Sequence, residues 1–177
     1  MSNQLSTYSI QFKGLKVGKH ILNFELDGCF FSLFEESEIK EGKLSANVNL
    51  TKHSQLLELD VNISGYVEVV CDRCLDSFNL PIGYKGTLFV KFDQGEPDSN
   101  EEIVFLPTEE SELNIAQYLY ESICLSIPYQ KYHGINSTKE DDCNKEMLKK
   151  IKKHTGSNKT GKQGDPRWDK LKDLKLN

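Results

Sequence analysis

The chain has 177 residues, 37% hydrophobic and 28% charged, which suits one domain with a proper core plus an appendage. No apolar run approaches the roughly 20 residues that span a bilayer, and Met1-Ser2-Asn3-Gln4 lacks the basic-then-apolar pattern of a secretory signal. The formal net charge of -5 hides a division: residues 139–177 carry 12 Lys+Arg against 7 Asp+Glu, and residues 1–138 carry 10 against 20. An acidic body with a basic tail suggests that the tail meets a polyanion or docks on its own body. The expected compartment is the cytoplasm, where the five cysteines (Cys29, Cys71, Cys74, Cys124, Cys143) stay reduced.

Tyr8 to Phe12 alternates weakly as a first strand. Leu22, Phe24 and Leu26 alternate with Asn23, Glu25 and Asp27 as a half-buried strand. The apolar cluster from Cys29 to Phe34 has the spacing of one helical turn. The cleanest alternation is Leu44, Ala46, Val48 and Leu50. The next strand turns Leu57, Leu59, Val61 and Ile63 inward and continues to Val70, with Gly65 at a bulge or bend. Phe78, Leu80 and Ile82, then Leu88, Val90 and Phe92, form the return. Asp93 to Glu102 is an acidic loop, and Ile103 to Leu106 a short strand ended by Pro107.

A helix is expected from Asn114, as N-cap, to Leu125, with Ile115, Tyr118, Leu119, Ser122 and Ile123 on one face and Pro128 as its stop. Beyond it the pattern is lost until a short basic helix at Asn144 to His154. Thr155 to Gly164 has linker composition. Asp165-Pro166 is a strong helix start before Trp168, Leu171 and Leu174. The expected fold class is α+β: mainly antiparallel β, as a barrel-like or curved sheet, with one packed helix and a helical C-terminal tail. Its divisions are a β-rich body at 1–143, a basic segment and linker at 144–164, and an amphipathic helix at 165–177.

Cys71-Asp72-Arg73-Cys74 places two thiols on a turn between strands. Zinc takes four ligands, so the pair is half of a structural site. His133 and Cys143, in the irregular segment after the helix, are the expected other half. Two buried thiols with no metal remain the alternative. A redox pair fits less well, because that chemistry favours the start of a helix. Cys29 and Cys124 are expected in the core. The lysines of the basic segment, among them Lys149, Lys150, Lys152 and Lys153, suit phosphate contacts without sequence preference. Arg73, Arg167 and Trp168 join them as candidate RNA- or partner-binding residues: arginine can clamp a phosphate, and tryptophan can stack on a base or fill a protein groove. The sequence offers no nucleophile–base pair, phosphate loop or carboxylate dyad, so an enzyme with a small-molecule substrate is not expected.

In combination, Cys71-Asp72-Arg73-Cys74-Leu75 with Phe78, the helix ending Cys124-Leu125-Ser126-Ile127-Pro128, the His133 to Cys143 segment and Asp165-Pro166-Arg167-Trp168 resemble the YceD-like family of large ribosomal RNA subunit accumulation proteins. The resemblance implies a non-enzymatic cytoplasmic factor for accumulation or processing of large-subunit ribosomal RNA. It would act through the RNA precursor or an early ribosomal protein, with no membrane involved. The competing reading is a zinc-stabilised interaction module docking through the Trp168 helix.

Overall fold

The computed structural model describes residues 6–35, 37–92, 103–136, 138–139 and 142–155. The chain divides into two units, Met1–Asn144 and Lys145–Asn177. The first carries 11 Lys+Arg against 23 Asp+Glu, a net of -12, and the second 11 against 4, a net of +7.

The first unit is built on a five-stranded sheet of β2 (Gly18–Leu26), β3 (Gly42–Lys52), β4 (Leu56–Val70), β5 (Ser77–Phe92) and β6 (Ile103–Leu106), in that spatial order. The first three pairings are antiparallel, and β6 joins β5 in parallel. β2 and β6 are the two edges, so the curved sheet stays open and does not close as a barrel. A second, small sheet pairs β1 (Ser9–Ile10) with β7 (Leu113–Asn114). Helix α1 is Gly28–Phe31, and α2 is Ala116–Ser126.

The period-2 pattern decides which face is covered. Leu44, Ala46, Val48 and Leu50 of β3 lie beside Leu57, Leu59, Val61 and Ile63 of β4, all buried. Leu80, Leu88 and Val90 continue that face on β5. Ile115, Leu119 and Ile123 join the same core from α2, and Phe30 and Phe31 from α1. Phe30 meets Phe31, Phe34 and Tyr8 edge-on, at centroid distances of 4.9 to 5.4 Å. Asp27 caps α1 by accepting the amide hydrogens of Cys29 and Phe30.

Several expectations need correction. The first strand is only two residues long and pairs with β7, not with the main sheet. Gly65 is not a bulge, since pairing runs unbroken through Leu44–Gly65 and Gly65–Ile82. It is a close approach: a Cβ at Gly65 would meet the Lys43 carbonyl oxygen at 2.2 Å, and its φ is +149°. The helix starts at Ala116, with Asn114 in β7, yet the Asn114 carboxamide still accepts the Ala116 amide hydrogen at 2.9 Å. Cys29 and Cys124 are exposed, not core. Cys29 lies on the outer side of α1, away from the buried Phe30 and Phe31, and Cys124 shares the outer side of α2 with the exposed Leu125 while Ile123 faces the core. In the second unit α3 (Lys145–His154) forms where the basic helix was expected. The acidic loop at 93–102, residues 156–164 of the linker and the 165–177 helix lie outside the described residues.

Candidate metal centre

The long β4–β5 hairpin ends in the turn that carries Cys71 and Cys74. Val70 pairs with Ser77 as the last rung. The Cys71 amide donates to the Asp76 carbonyl at 3.0 Å, and the Leu75 amide returns to the Cys71 carbonyl at 2.9 Å. Leu75 closes the turn with φ +66°, an unusual conformation for a branched residue. Such strain persists only where the surrounding structure requires it. Here it lets the chain reverse while both sulfurs point the same way.

The segment after α2 then crosses the turn. Asp72 and Lys131 grip each other twice: the Asp72 amide donates to the Lys131 carbonyl, and the Lys131 amide to the Asp72 carboxylate, both at 2.6 Å. The Arg73 guanidinium lies 3.9 Å over the Tyr132 ring. Asn136 donates to the Pro81 carbonyl at 3.2 Å. These contacts deliver His133, whose ring lies 4.5 Å from that of Phe78. His133 Nδ1 is 3.7 Å from Cys74 Sγ, across 59 positions of sequence.

Cys143 completes the group. The ligand atoms of Cys71, Cys74, His133 and Cys143 all lie within 4.8 Å of one another, and all four residues are buried. The thiols are free. Three thiols and one imidazole are the donors that zinc prefers. Around a tetrahedral zinc, such donors would sit about 3.6–3.8 Å apart, given zinc–sulfur bonds of ~2.3 Å and zinc–nitrogen bonds of ~2.0–2.1 Å. The observed spacing reaches this arrangement with shifts of about an ångström.

The electrostatics also fit a cation. Burial pushes the Cys71 thiol up, but the amide groups of Cys74 and Arg73 and the contacts with His133 together outweigh it and bring it down to about 6. Burial pushes Cys143 up to about 12, helped by its bond to Cys74 and by the negative charge of Cys71 and Cys74. The surroundings thus push two neighbouring thiols in opposite directions, Cys71 toward the thiolate and Cys143 toward the protonated form. A bound divalent cation relieves that conflict by deprotonating its thiol ligands.

Of the expected binding residues, Arg73 is exposed at the turn and stacked on Tyr132. Lys149, Lys150, Lys152 and Lys153 are exposed on α3. Arg167 and Trp168 lie outside the described residues. Sequence reasoning missed the supporting residues Asp72, Lys131, Tyr132 and Phe78. Asp72 carried a turn signal, but its partner is 59 residues away and no local pattern pairs them.

Among the described residues no helix is long and apolar enough to cross a membrane. Comparison with curated proteins and with solved structures finds no match. A family model, described as large ribosomal RNA subunit accumulation protein YceD, matches residues 59–175, a stretch that takes in all four donors of the cluster. With more than half of its length matched, the chain belongs to the YceD family.

Proposed function

We propose that this protein supports the accumulation of large-subunit ribosomal RNA as a non-enzymatic assembly factor, with Cys71, Cys74, His133 and Cys143 holding a structural zinc. The observation that carries the metal reading is the burial of four zinc-type donors within 4.8 Å, drawn from two segments far apart in sequence. The ion supplies a four-coordinate cross-link and no reaction chemistry. The chain's own residues do the rest. The Asp72–Lys131 pair and the Arg73–Tyr132 stack fix residues 129–136 over the hairpin, and Cys143 fixes the end of that segment just before the basic unit begins. The family description links the chain to the large ribosomal subunit. Direct contact with precursor RNA falls to the +7 unit, through Lys149, Lys150, Lys152 and Lys153, because the -12 unit repels phosphate on average.

The acidic first unit also favours a second reading, in which the Trp168 segment docks on a protein of the assembling subunit and no RNA contact is needed. Cross-linking the tagged chain to RNA in living cells separates the two. Large-subunit precursor RNA enriched over small-subunit RNA supports RNA contact. Co-purified protein without RNA, lost in Trp168→Ala, supports the second reading.

A further inference from the structure

Beside the metal hairpin, between the end of β4 and the C-terminal end of α2, lies a groove of about 690 Å³. It exists because β3 stops short. The β3–β4 register ends at Gly42–Val67, and only the Glu68 amide finds a further partner, the Glu41 carbonyl at 2.8 Å. Val69 and Val70 therefore extend β4 with no strand neighbour on that side among the described residues, and Val70 is 51% exposed. Tyr120 and Ile127 form the opposite wall. Tyr120 lies flat against Phe34, with centroids 4.0 Å apart, which sets the orientation of its ring in that wall. Tyr129 stands at the mouth, 98% exposed. A large aromatic in full solvent contact beside an apolar recess is the make-up of an anchor site for a partner's side chain.

The rim says what kind of partner. Glu38, Glu41 and Glu68 are exposed along it, and none is in an ion pair among the described residues. Lys40 and Lys131 are its cations, so the rim is net negative on a unit of net charge -12. An RNA strand would bring phosphates against three carboxylates. The geometry points to a docking site for a lysine- or arginine-rich segment of a partner protein that inserts one bulky apolar side chain between Val70 and Ile127. This goes beyond the assembly reading above and depends on neither the zinc nor RNA contact. Basic flanks meet the carboxylates, which steers encounter, and the apolar anchor supplies the burial.

The test uses the full-length protein and a fluorescein-labelled synthetic peptide of 12 residues, alternating lysine and leucine around a central phenylalanine. Binding is read by anisotropy and mapped by amide chemical shifts. Three variants follow: Glu38→Gln/Glu41→Gln/Glu68→Gln, Val70→Ser, and the charge-matched control Glu25→Gln/Glu109→Gln/Glu110→Gln away from the groove. The expected result is shifts gathered at Ile39, Val69, Val70, Ile127 and Tyr129. Affinity should fall about tenfold in the rim variant, a few-fold in Val70→Ser and less than about twofold in the control. Equal losses in the rim and control variants overturn the proposal, as do shifts scattered over the acidic surface or an all-lysine peptide binding as tightly. A concentration-dependent dimer, lost in Val70→Ser, with no peptide bound, also overturns it and assigns the groove to a second copy.

Discussion

Replacing Cys74 by serine tests the metal cross-link in quantitative form. Cys74 and His133 are 59 positions apart. A cross-link closing a loop of that length removes about 4 kcal/mol of conformational freedom from the unfolded chain. Without it, the same segment is held by the two Asp72–Lys131 bonds, by Asn136 on Pro81 and by Arg73 on Tyr132, each contributing a net of about 1 kcal/mol. A bound metal would thus be worth roughly as much as all four together, and its loss should loosen residues 129–143 without detaching them. For a domain of this size each kcal/mol moves the melting temperature by about 3 °C, so the fall is ~10 °C, trimmed by whatever zinc the unfolded thiols retain. A buried serine hydroxyl adds a penalty of about 1 kcal/mol of its own, so four melts are needed: wild type and Cys74→Ser, each with and without a strong chelator. The wild type should drop by about 10 °C with chelator, and the variant, already low, should move by less than about 2 °C. A wild type indifferent to chelator, or a variant that responds as the wild type does, refutes the cross-link.

Gly65→Ala forces a Cβ to 2.2 Å from the Lys43 carbonyl oxygen and 2.7 Å from the Leu44 Cα, both backbone atoms of β3, and should cost at least about 3 kcal/mol in urea unfolding; a loss under about 1 kcal/mol contradicts the close approach. Converting Lys149, Lys150, Lys152 and Lys153 together to alanine should reduce the slope of log affinity against log salt for single-stranded RNA by about 3; an unchanged slope removes α3 from the RNA contact. Burial, and then the charges of Asp27 and Cys29, raise the Tyr8 pKa above 10.0, so its neutral form is favoured in the folded state. The stability this gives is fully present below the unfolded pKa and is lost as pH rises through the folded one. Tyr8→Phe should therefore flatten the decline in stability above pH ~10, and an unaltered alkaline limb counts against that environment.

Much of the fold was legible because most strands are covered on one face only. Alternation over β3 and β4 marks the inward residues one by one, and the structure buries Leu44 to Leu50 and Leu57 to Ile63 on that pattern. The short β1–β7 sheet was not legible, since two-residue strands have no period and their pairing joins Ser9 to Asn114 across most of the unit. Gly65 signalled a departure from an ordinary strand, but sequence does not say whether a strand bends or a neighbour closes in. Cys29 and Cys124 misled because a small thiol beside large apolar residues reads as core, whereas a four-residue helix and the last turn of α2 leave one side to solvent. That Cys71, Cys74, His133 and Cys143 come together was readable from chemistry alone: two thiols on a turn call for two more soft ligands, and His133 and Cys143 are the candidates the irregular segment offers. What brings them home, Asp72 on Lys131 and Arg73 on Tyr132, was unreadable, because it depends on the backbone path between α2 and α3. The groove was hidden for a similar reason: it follows from β3 ending at Gly42 while β4 runs on to Val70.

In the proposed function, a metal-fastened hairpin underlies a role in large-subunit ribosomal RNA accumulation. The most direct measurement is the ratio of large- to small-subunit ribosomal RNA in cells depleted of this protein and supplied with either the wild-type chain or Cys71→Ser/Cys74→Ser at matched protein level. The ratio should fall on depletion, recover with the wild type and stay low with the double variant. A ratio that depletion leaves unchanged contradicts the functional assignment, and full recovery with the double variant contradicts the role of the metal centre.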